Sequence, residues 1–158
     1  MVRSTAVRPL AHQAAAAWMR GLAQGNRVTS FESAATFVLP FRGHRLHGRR
    51  GGQGSALLLI HGFPTSGRDW RGVWPALAQS NELFALDMLG FGASAKPRDF
   101  DYSISASADQ WVALAEATGV REVAVIAHDY GNTVAQELLA RQREGELGFR
   151  ISSVVFLN

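Results

Sequence analysis

From residue 51 onward the chain alternates short apolar runs with amphipathic stretches. Residues 56–60 form a continuous apolar run that ends at His61-Gly62, which is typical of a strand buried on both faces. Further buried strands are predicted over residues 83–86, 123–127 and 151–157, and helices over about 68–79, 105–118 and 132–143. Strands that alternate with helices in this way predict an α/β fold with a mostly parallel sheet.

The first 50 residues follow a different pattern. Residues 9–24 are rich in alanine and precede Gly25-Asn26, which predicts one short helix. Residues 36–39 and 45–47 predict two short strands that form a hairpin around Gly43 and His44. We therefore expect a basic N-terminal segment with a short helix over residues 1–34 and the core of one domain over residues 35–158.

Charge is unevenly distributed along the chain. Residues 1–50 contain eight arginines against one glutamate, a net charge of +7, whereas residues 51–158 carry a net charge of −4. A basic segment can bind nucleic acid or an anionic membrane surface, but basic runs are more often solvated. We favour the solvated arm and expect no nucleic-acid partner.

The residue inventory excludes several kinds of site. The 158 residues contain no cysteine, so disulfides, thiolate metal sites and cysteine nucleophiles are excluded. This fits a reducing compartment, and we expect a cytoplasmic protein. His44 and His47 would point to opposite faces of a strand, so we predict no metal site from them. No stretch of the sequence approaches the roughly 20 apolar residues of a membrane span.

The strongest chemical signal is the turn Ala127-His128-Asp129-Tyr130-Gly131. It joins a buried strand to a helix and has an acid between two small residues. A sharp turn of this kind, the nucleophile elbow, presents its central side chain above the sheet edge and needs small flanking residues. We predict that Asp129 is a nucleophile at the position where serine is usual; an ordinary helix N-cap is the alternative.

A second motif, His61-Gly62-Phe63-Pro64-Thr65-Ser66, directly follows the first buried strand. In a fold with a nucleophile elbow, the loop at this place supplies one backbone N–H of an oxyanion hole. We assign that donor to Phe63 and the second donor to Tyr130, the residue after the nucleophile. Other residues are expected to support the site by packing or by close backbone approach, namely His61, Gly62, Pro64, His128 and Gly131.

A third motif, Asp-Met-Leu-Gly-Phe-Gly-Ala-Ser at residues 87–94, is a glycine-rich loop after the second buried strand. We expect its glycines to allow tight packing beneath the elbow, and Asp87 to stabilise the loop rather than to catalyse.

In this order the three motifs resemble those of the α/β-hydrolases that use an aspartate nucleophile, such as epoxide hydrolases and haloalkane dehalogenases. Residues 134–139, Val-Ala-Gln-Glu-Leu-Leu, extend the likeness to the mesoderm-specific transcript group and its bacterial relatives. The resemblance covers roughly residues 37–158 and implies the N-terminal part of an α/β-hydrolase core. Phe63 favours epoxide hydrolase, because many dehalogenases resemble one another in placing an asparagine there. Tyr130 favours neither group, since both commonly carry tryptophan at that position.

The resemblance also implies a chemistry. Asp129 would form an alkyl-enzyme ester with a small-molecule epoxide, alkyl halide or related ester substrate, and no cofactor is expected. The family triad runs nucleophile, acid, histidine, but no histidine follows Asp129 in the sequence. We therefore expect the chain to be incomplete, lacking the cap domain and the last strands, and not to turn over alone. The alternatives are a non-catalytic binding or scaffold protein and an inactive fragment. The last strand is expected to favour self-association.

Overall fold

A computed structural model describes residues 30–158 of the protein, so the predicted helix over residues 9–24 lies outside the described residues. Within residues 30–158 six strands form one sheet in the order β1-β2-β4-β3-β5-β6. The strands are β1 Ala35–Phe41, β2 His44–Gly52, β3 Ser55–Ile60, β4 Asn81–Asp87, β5 Glu122–His128 and β6 Arg150–Leu157. β3 pairs in parallel with β4 and β5, and β5 pairs in parallel with β6, which confirms the α/β fold with a mostly parallel sheet.

β1 and β2 form the predicted antiparallel hairpin, and β2 continues antiparallel to β4. The tight turn consists of Arg42 and Gly43, which both have positive φ, 46° and 80°. The predicted turn at Gly43 and His44 was therefore wrong by one residue, because His44 pairs with Phe41 as the first residue of β2. Two consecutive residues with positive φ match the right-handed twist of the flanking strands, which is why short hairpin loops use them. β2 is longer than predicted, because the strand continues through Arg49 and Arg50 to Gly52.

Three α-helices cross between the parallel strands: α1 Trp74–Leu77, α2 Ile104–Thr118 and α3 Tyr130–Glu144. The helix predicted over about residues 68–79 is instead a 3-10 helix, Gly67–Gly72, followed by the single turn of α1. Pro75 accounts for the break, because proline lacks an N–H for the hydrogen bond back to residue 71. Trp70 and Trp74 are nevertheless buried, whereas Val73 is exposed.

The sheet is buried on both faces, as its apolar runs predict. Alternate residues of β3 and β4 enter two separate cores, with Leu58 and Phe84 in one and Leu57 and Leu83 in the other. The first core is covered by α2 and α3, and the second by the 3-10 helix and α1. None of the helices within residues 30–158 has the length and apolar content needed to cross a membrane.

β6 lies at one edge of the sheet, next to β5. Three large apolar side chains near its end are partly exposed: Val155, Phe156 and Leu157 at 49%, 46% and 41%. An apolar edge strand is a template for pairing with another strand. Self-association through β6 stays a prediction.

Candidate active site

The candidate nucleophile lies at the junction of β5 and α3, on the carboxyl edge of the sheet. Asp129 has φ 51° and ψ −118°, a combination of backbone angles that residues other than glycine rarely adopt. It occupies the N-cap position of α3, but its side chain makes no capping hydrogen bond. The ordinary N-cap interpretation therefore does not describe its contacts.

The Asp129 carboxylate instead contacts the loop after β3. The backbone N–H of Phe63 donates to Asp129 Oδ1 at 2.8 Å. This hydrogen bond, and secondly the neighbouring N–H of Tyr130, lower the pKa of Asp129 below its ordinary value, because both stabilise the anionic form. The structure thus brings Asp129 together with the two amides assigned from the sequence as oxyanion-hole donors. Asp129 is exposed, so its carboxylate is accessible to a small molecule.

Two glycines make this close approach possible. A Cβ on Gly62 would lie 2.8 Å from the Asp129 Cβ, and a Cβ on Gly131 would lie 2.5 Å from the carbonyl oxygen of Ile60. Real Cβ atoms do not come so close to another heavy atom. Glycine at positions 62 and 131 is therefore required by contacts with Asp129 and with the end of β3.

His61 is fully buried, and both of its ring nitrogens are engaged. Nδ1 lies 2.8 Å from the carbonyl oxygen of Gly62, and Nε2 accepts a hydrogen bond from the Met88 N–H at 3.1 Å. Because Nε2 is the acceptor, the neutral ring carries its proton on Nδ1. Burial lowers the pKa of His61, and the backbone contact with Gly62 opposes this only in part. His61 therefore links the Phe63 loop to the loop after β4.

His128 and Pro64 occupy less central places. A Cβ on Gly62 would lie 3.0 Å from His128 Nδ1, so the imidazole lies beside that glycine. After the two backbone hydrogen bonds, Coulombic interaction with His128 is a smaller cause of the lowered pKa of Asp129. The peptide between Phe63 and Pro64 is cis. Beyond it, Thr65 closes the loop with a hydrogen bond from its hydroxyl to the Gly62 carbonyl oxygen at 2.9 Å.

Asp87 organises the loop after β4. Its Oδ1 accepts a hydrogen bond from the Gly67 N–H, and its Oδ2 accepts one from the Ala93 N–H, each at 2.8 Å. A Cβ on Gly92 would lie 2.1 Å from Oδ2, so this position has no room for a side chain. The carboxylate thus fixes two turns at the sheet edge and is occupied by structural hydrogen bonds.

Four further residues hold the site, although the sequence did not single them out as site residues. The Leu157 carbonyl oxygen at the end of β6 accepts hydrogen bonds from the Asp129 N–H at 3.2 Å and from Asn132 Nδ2 at 2.8 Å. The Tyr130 hydroxyl lies 3.0 Å from Ser107 Oγ on α2. Phe91, between the glycines of the third motif, packs among the aromatic rings around the donors. The glycines on either side of Phe91 were the one feature of the sequence that could have indicated this residue.

The sequence of this chain is similar to those of known proteins. The family described as alpha/beta hydrolase fold matches residues 55–158. The mesoderm-specific transcript homolog protein of Bos taurus is 45% identical over 100 residues, which are 61% of this chain and 30% of the relative. A haloalkane dehalogenase of Mesorhizobium japonicum is 36% identical over 98 residues, 62% of this chain and 31% of the relative.

Solved structures share the fold. The epoxide hydrolase CorEH without ligand superposes with a TM-score of 0.69 and 31% identity, over 78% of this chain and 42% of that chain. This chain spans about a third of the length of the two curated relatives. Since the family match covers more than half of the sequence, the chain belongs to the α/β hydrolase fold family.

Proposed function

We propose that this protein is a hydrolase of the epoxide-hydrolase type, in which Asp129 is the nucleophile and the amides of Phe63 and Tyr130 form the oxyanion hole. The observation that carries the proposal is the 2.8 Å hydrogen bond from the Phe63 N–H to Asp129 Oδ1, made by a residue with positive φ. A strained backbone that aims an exposed carboxylate at main-chain donors is typical of a reactive position.

The protonation state of Asp129 suits this role. A carboxylate needs no general base to attack, provided that it is ionised. The two amides lower the pKa of Asp129, so the side chain stays ionised even below the ordinary aspartate value of about 3.9. Attack by Asp129 is therefore expected to be available throughout the neutral range.

The first step would consume the epoxide without loss of atoms. A carboxylate oxygen of Asp129 attacks a ring carbon, a new C–O bond forms, and the ring C–O bond breaks. The electron pair goes to the former epoxide oxygen, which then takes a proton from water. The protein gains the whole mass of the epoxide as a hydroxyalkyl ester on Asp129.

The second step would hydrolyse that ester at the carbonyl carbon of Asp129. Water adds to this carbon, and the negative charge develops on a carboxyl oxygen that faces the oxyanion-hole amides. A base must accept the proton of the water. His61 is unsuited, because it is buried and both ring nitrogens are engaged. We assign the nucleophile and the oxyanion donors within residues 30–158 but no base for this step, so the ester is expected to accumulate in this chain.

The residues around Asp129 favour an epoxide over an alkyl halide. A departing halide needs a side-chain donor to stabilise its charge, but the Phe63 side chain has none. The Tyr130 hydroxyl is already within hydrogen-bond distance of Ser107. An epoxide oxygen stays covalently attached after ring opening and takes its proton from water, so it depends less on such a donor.

Covalent labelling tests the proposal. The full chain is incubated with styrene oxide at pH 7, and intact mass and peptide mapping locate the adduct. We expect a mass gain of one epoxide on the peptide that contains Asp129. The gain should persist in Asp101→Asn, which removes another exposed carboxylate, and disappear in Asp129→Asn.

Two outcomes would refute the proposal. In one, folded wild-type protein gains no mass, which would favour the non-catalytic binding role. In the other, Asp129→Asn is labelled as fast as Asp101→Asn, which would mean that the epoxide reacts with carboxylates indiscriminately. Circular dichroism of each variant establishes that the protein compared is folded.

A further inference from the structure

The two proposed oxyanion donors come from different parts of the chain. The Phe63 N–H belongs to the loop after β3, whereas the Tyr130 N–H is at the first residue of α3. Neither segment alone fixes the separation of the two amides. The pairing of β3 with β5, which matches Ile60 with Ala127, brings the two segments together. An oxyanion hole works only when its donors are held at hydrogen-bond distance from one oxygen, so contacts beyond the strand ends also matter for the spacing.

Phe91 is in the right place to do this. Its ring centroid lies 5.9 Å from that of Phe63, at an interplanar angle of 90°, and 6.3 Å from that of Tyr130. It also lies 5.2 Å from the ring of His61, whose Nδ1 contacts the Gly62 carbonyl oxygen. These distances are within the range of favourable aromatic pairs. One side chain therefore contacts both donor residues and the histidine that precedes the first donor.

The backbone of Phe91 is itself fixed. The Phe91 N–H donates to the Met88 carbonyl oxygen at 3.0 Å, and Gly90 has φ 90° at the third position of this turn. A turn with positive φ at that position strongly favours glycine. The Met88 N–H donates to His61 Nε2, and the Leu89 N–H donates to the buried Oε1 of Gln110 at 2.8 Å. The turn that carries Phe91 is thus anchored to the neighbouring loop and to α2.

We infer that Phe91 is a positioning residue that holds the Phe63 and Tyr130 amides at the spacing of an oxyanion hole. The inference rests on the proposed function for its catalytic meaning, because the two amides serve as oxyanion donors only in that reaction. The physical effect on the resting protein does not depend on any reaction. Without the ring, the Phe63 loop and the start of α3 lose one of the contacts that hold them together, and the amides can move away from the Asp129 carboxylate.

The test compares Phe91→Ala and Phe91→Leu with Phe91→Tyr, which keeps the ring. The matched control is Phe100→Ala, since Phe100 is also partly buried and packs against the rings of Phe41, His44 and Tyr102, in a cluster distinct from that of Phe91. The primary readout is the titration midpoint of the Asp129 side-chain carboxyl, followed by carbon-13 NMR over the pH range in which circular dichroism shows a folded chain.

We expect the midpoint of Asp129 to rise toward the ordinary value of about 3.9 in Phe91→Ala and Phe91→Leu. It should stay at the wild-type value in Phe91→Tyr and in Phe100→Ala. A folded Phe91→Leu variant with the wild-type midpoint would overturn the inference, whether or not Phe91→Ala folds.

A second readout addresses the reaction itself. The ester formed with styrene oxide is isolated, and its hydrolysis by hydroxide is timed at pH 9. We expect hydrolysis in Phe91→Leu to be on the order of 10- to 100-fold slower than in wild type, because the oxyanion donors are displaced. Equal rates would overturn the inference. If wild-type protein forms no ester but the Asp129 midpoint shifts as expected, the proposed function fails and the positioning role stands.

Discussion

Replacing Gly131 with alanine would put a methyl group where the elbow has no room for one. Gly131 is the second residue of α3, and its Cα faces the end of β3. A Cβ there would lie 2.5 Å from the Ile60 carbonyl oxygen and 2.8 Å from the His61 carbonyl oxygen. Both are backbone atoms in the interior of the protein, so neither can move away as the end of a flexible side chain could.

The cost follows from these distances. Ordinary contact begins at 3.4 Å, so the closest approach is short by about 0.9 Å. Overpacking of a tight interior costs roughly 1–3 kcal/mol in the free energy of unfolding. Alanine offsets about 0.4–1 kcal/mol of this cost, because it restricts the unfolded chain more than glycine does. We expect Gly131→Ala to be destabilised by about 1–2 kcal/mol, which lowers Tm by about 2–8 °C in a chain of this size.

Urea unfolding followed by circular dichroism measures this change, and Gly72→Ala is the matched control. A Cβ on Gly72 would meet no heavy atom within 4 Å, so that variant should be neutral or slightly stabilised. The slope of the free energy against urea should be the same in both variants, since neither changes the surface exposed on unfolding. The reasoning is refuted if Gly131→Ala unfolds at the same urea concentration as Gly72→Ala.

Three further changes test other parts of the site. Because Asp129 has φ 51°, Asp129→Gly should be more stable to urea than Asp129→Ala by about 1–2 kcal/mol. Both variants should lose epoxide labelling. Equal urea midpoints for the two variants would show that the turn is not strained. Burial lowers the pKa of His61, so the unfolded chain binds a proton below about 6.5 while the native ring remains neutral. The free energy of unfolding should then fall as the pH decreases from about 6.5 toward the native pKa. Between pH 7 and pH 5.5 this fall should be smaller in His61→Gln than in wild type. The same dependence on pH in both proteins would contradict the reasoning. Asp87→Asn leaves only one acceptor oxygen for the amides of Gly67 and Ala93, so the free energy of unfolding in urea should fall by about 1–3 kcal/mol. An unchanged urea midpoint would mean that water replaces the lost hydrogen bond.

Much of the fold could be predicted, because buried strands carry a strong signal. The apolar runs at residues 56–60, 83–86 and 123–127 lie within β3, β4 and β5, each extended by one or two residues at its ends. Regions with a mixed signal were less predictable. Val73 and Leu77 have helical spacing with Trp70 and Trp74, but Pro75 interrupts the hydrogen-bond ladder, and the segment becomes a 3-10 helix and one α-turn.

The candidate site was predictable where it depends on local geometry. Small residues around an acid between a strand and a helix indicated the turn at Asp129, and the loop after β3 indicated the Phe63 amide. Contacts between distant segments have no local signature. Phe91 and Asn132 act through residues that lie far from them in sequence, and only the three-dimensional structure shows which neighbours they meet.

The Leu157 carbonyl oxygen couples the turn at Asp129 to the pairing of the edge strand β6. This oxygen accepts the N–H of Asp129 and the side chain of Asn132, and it is presented only when β6 has paired with β5 in the register that matches His128 with Leu157. A substitution that loosens the pairing of β6 with β5 is therefore expected to disturb the backbone at Asp129 as well. Damage at the edge of the sheet and damage at the candidate site would then be observed together.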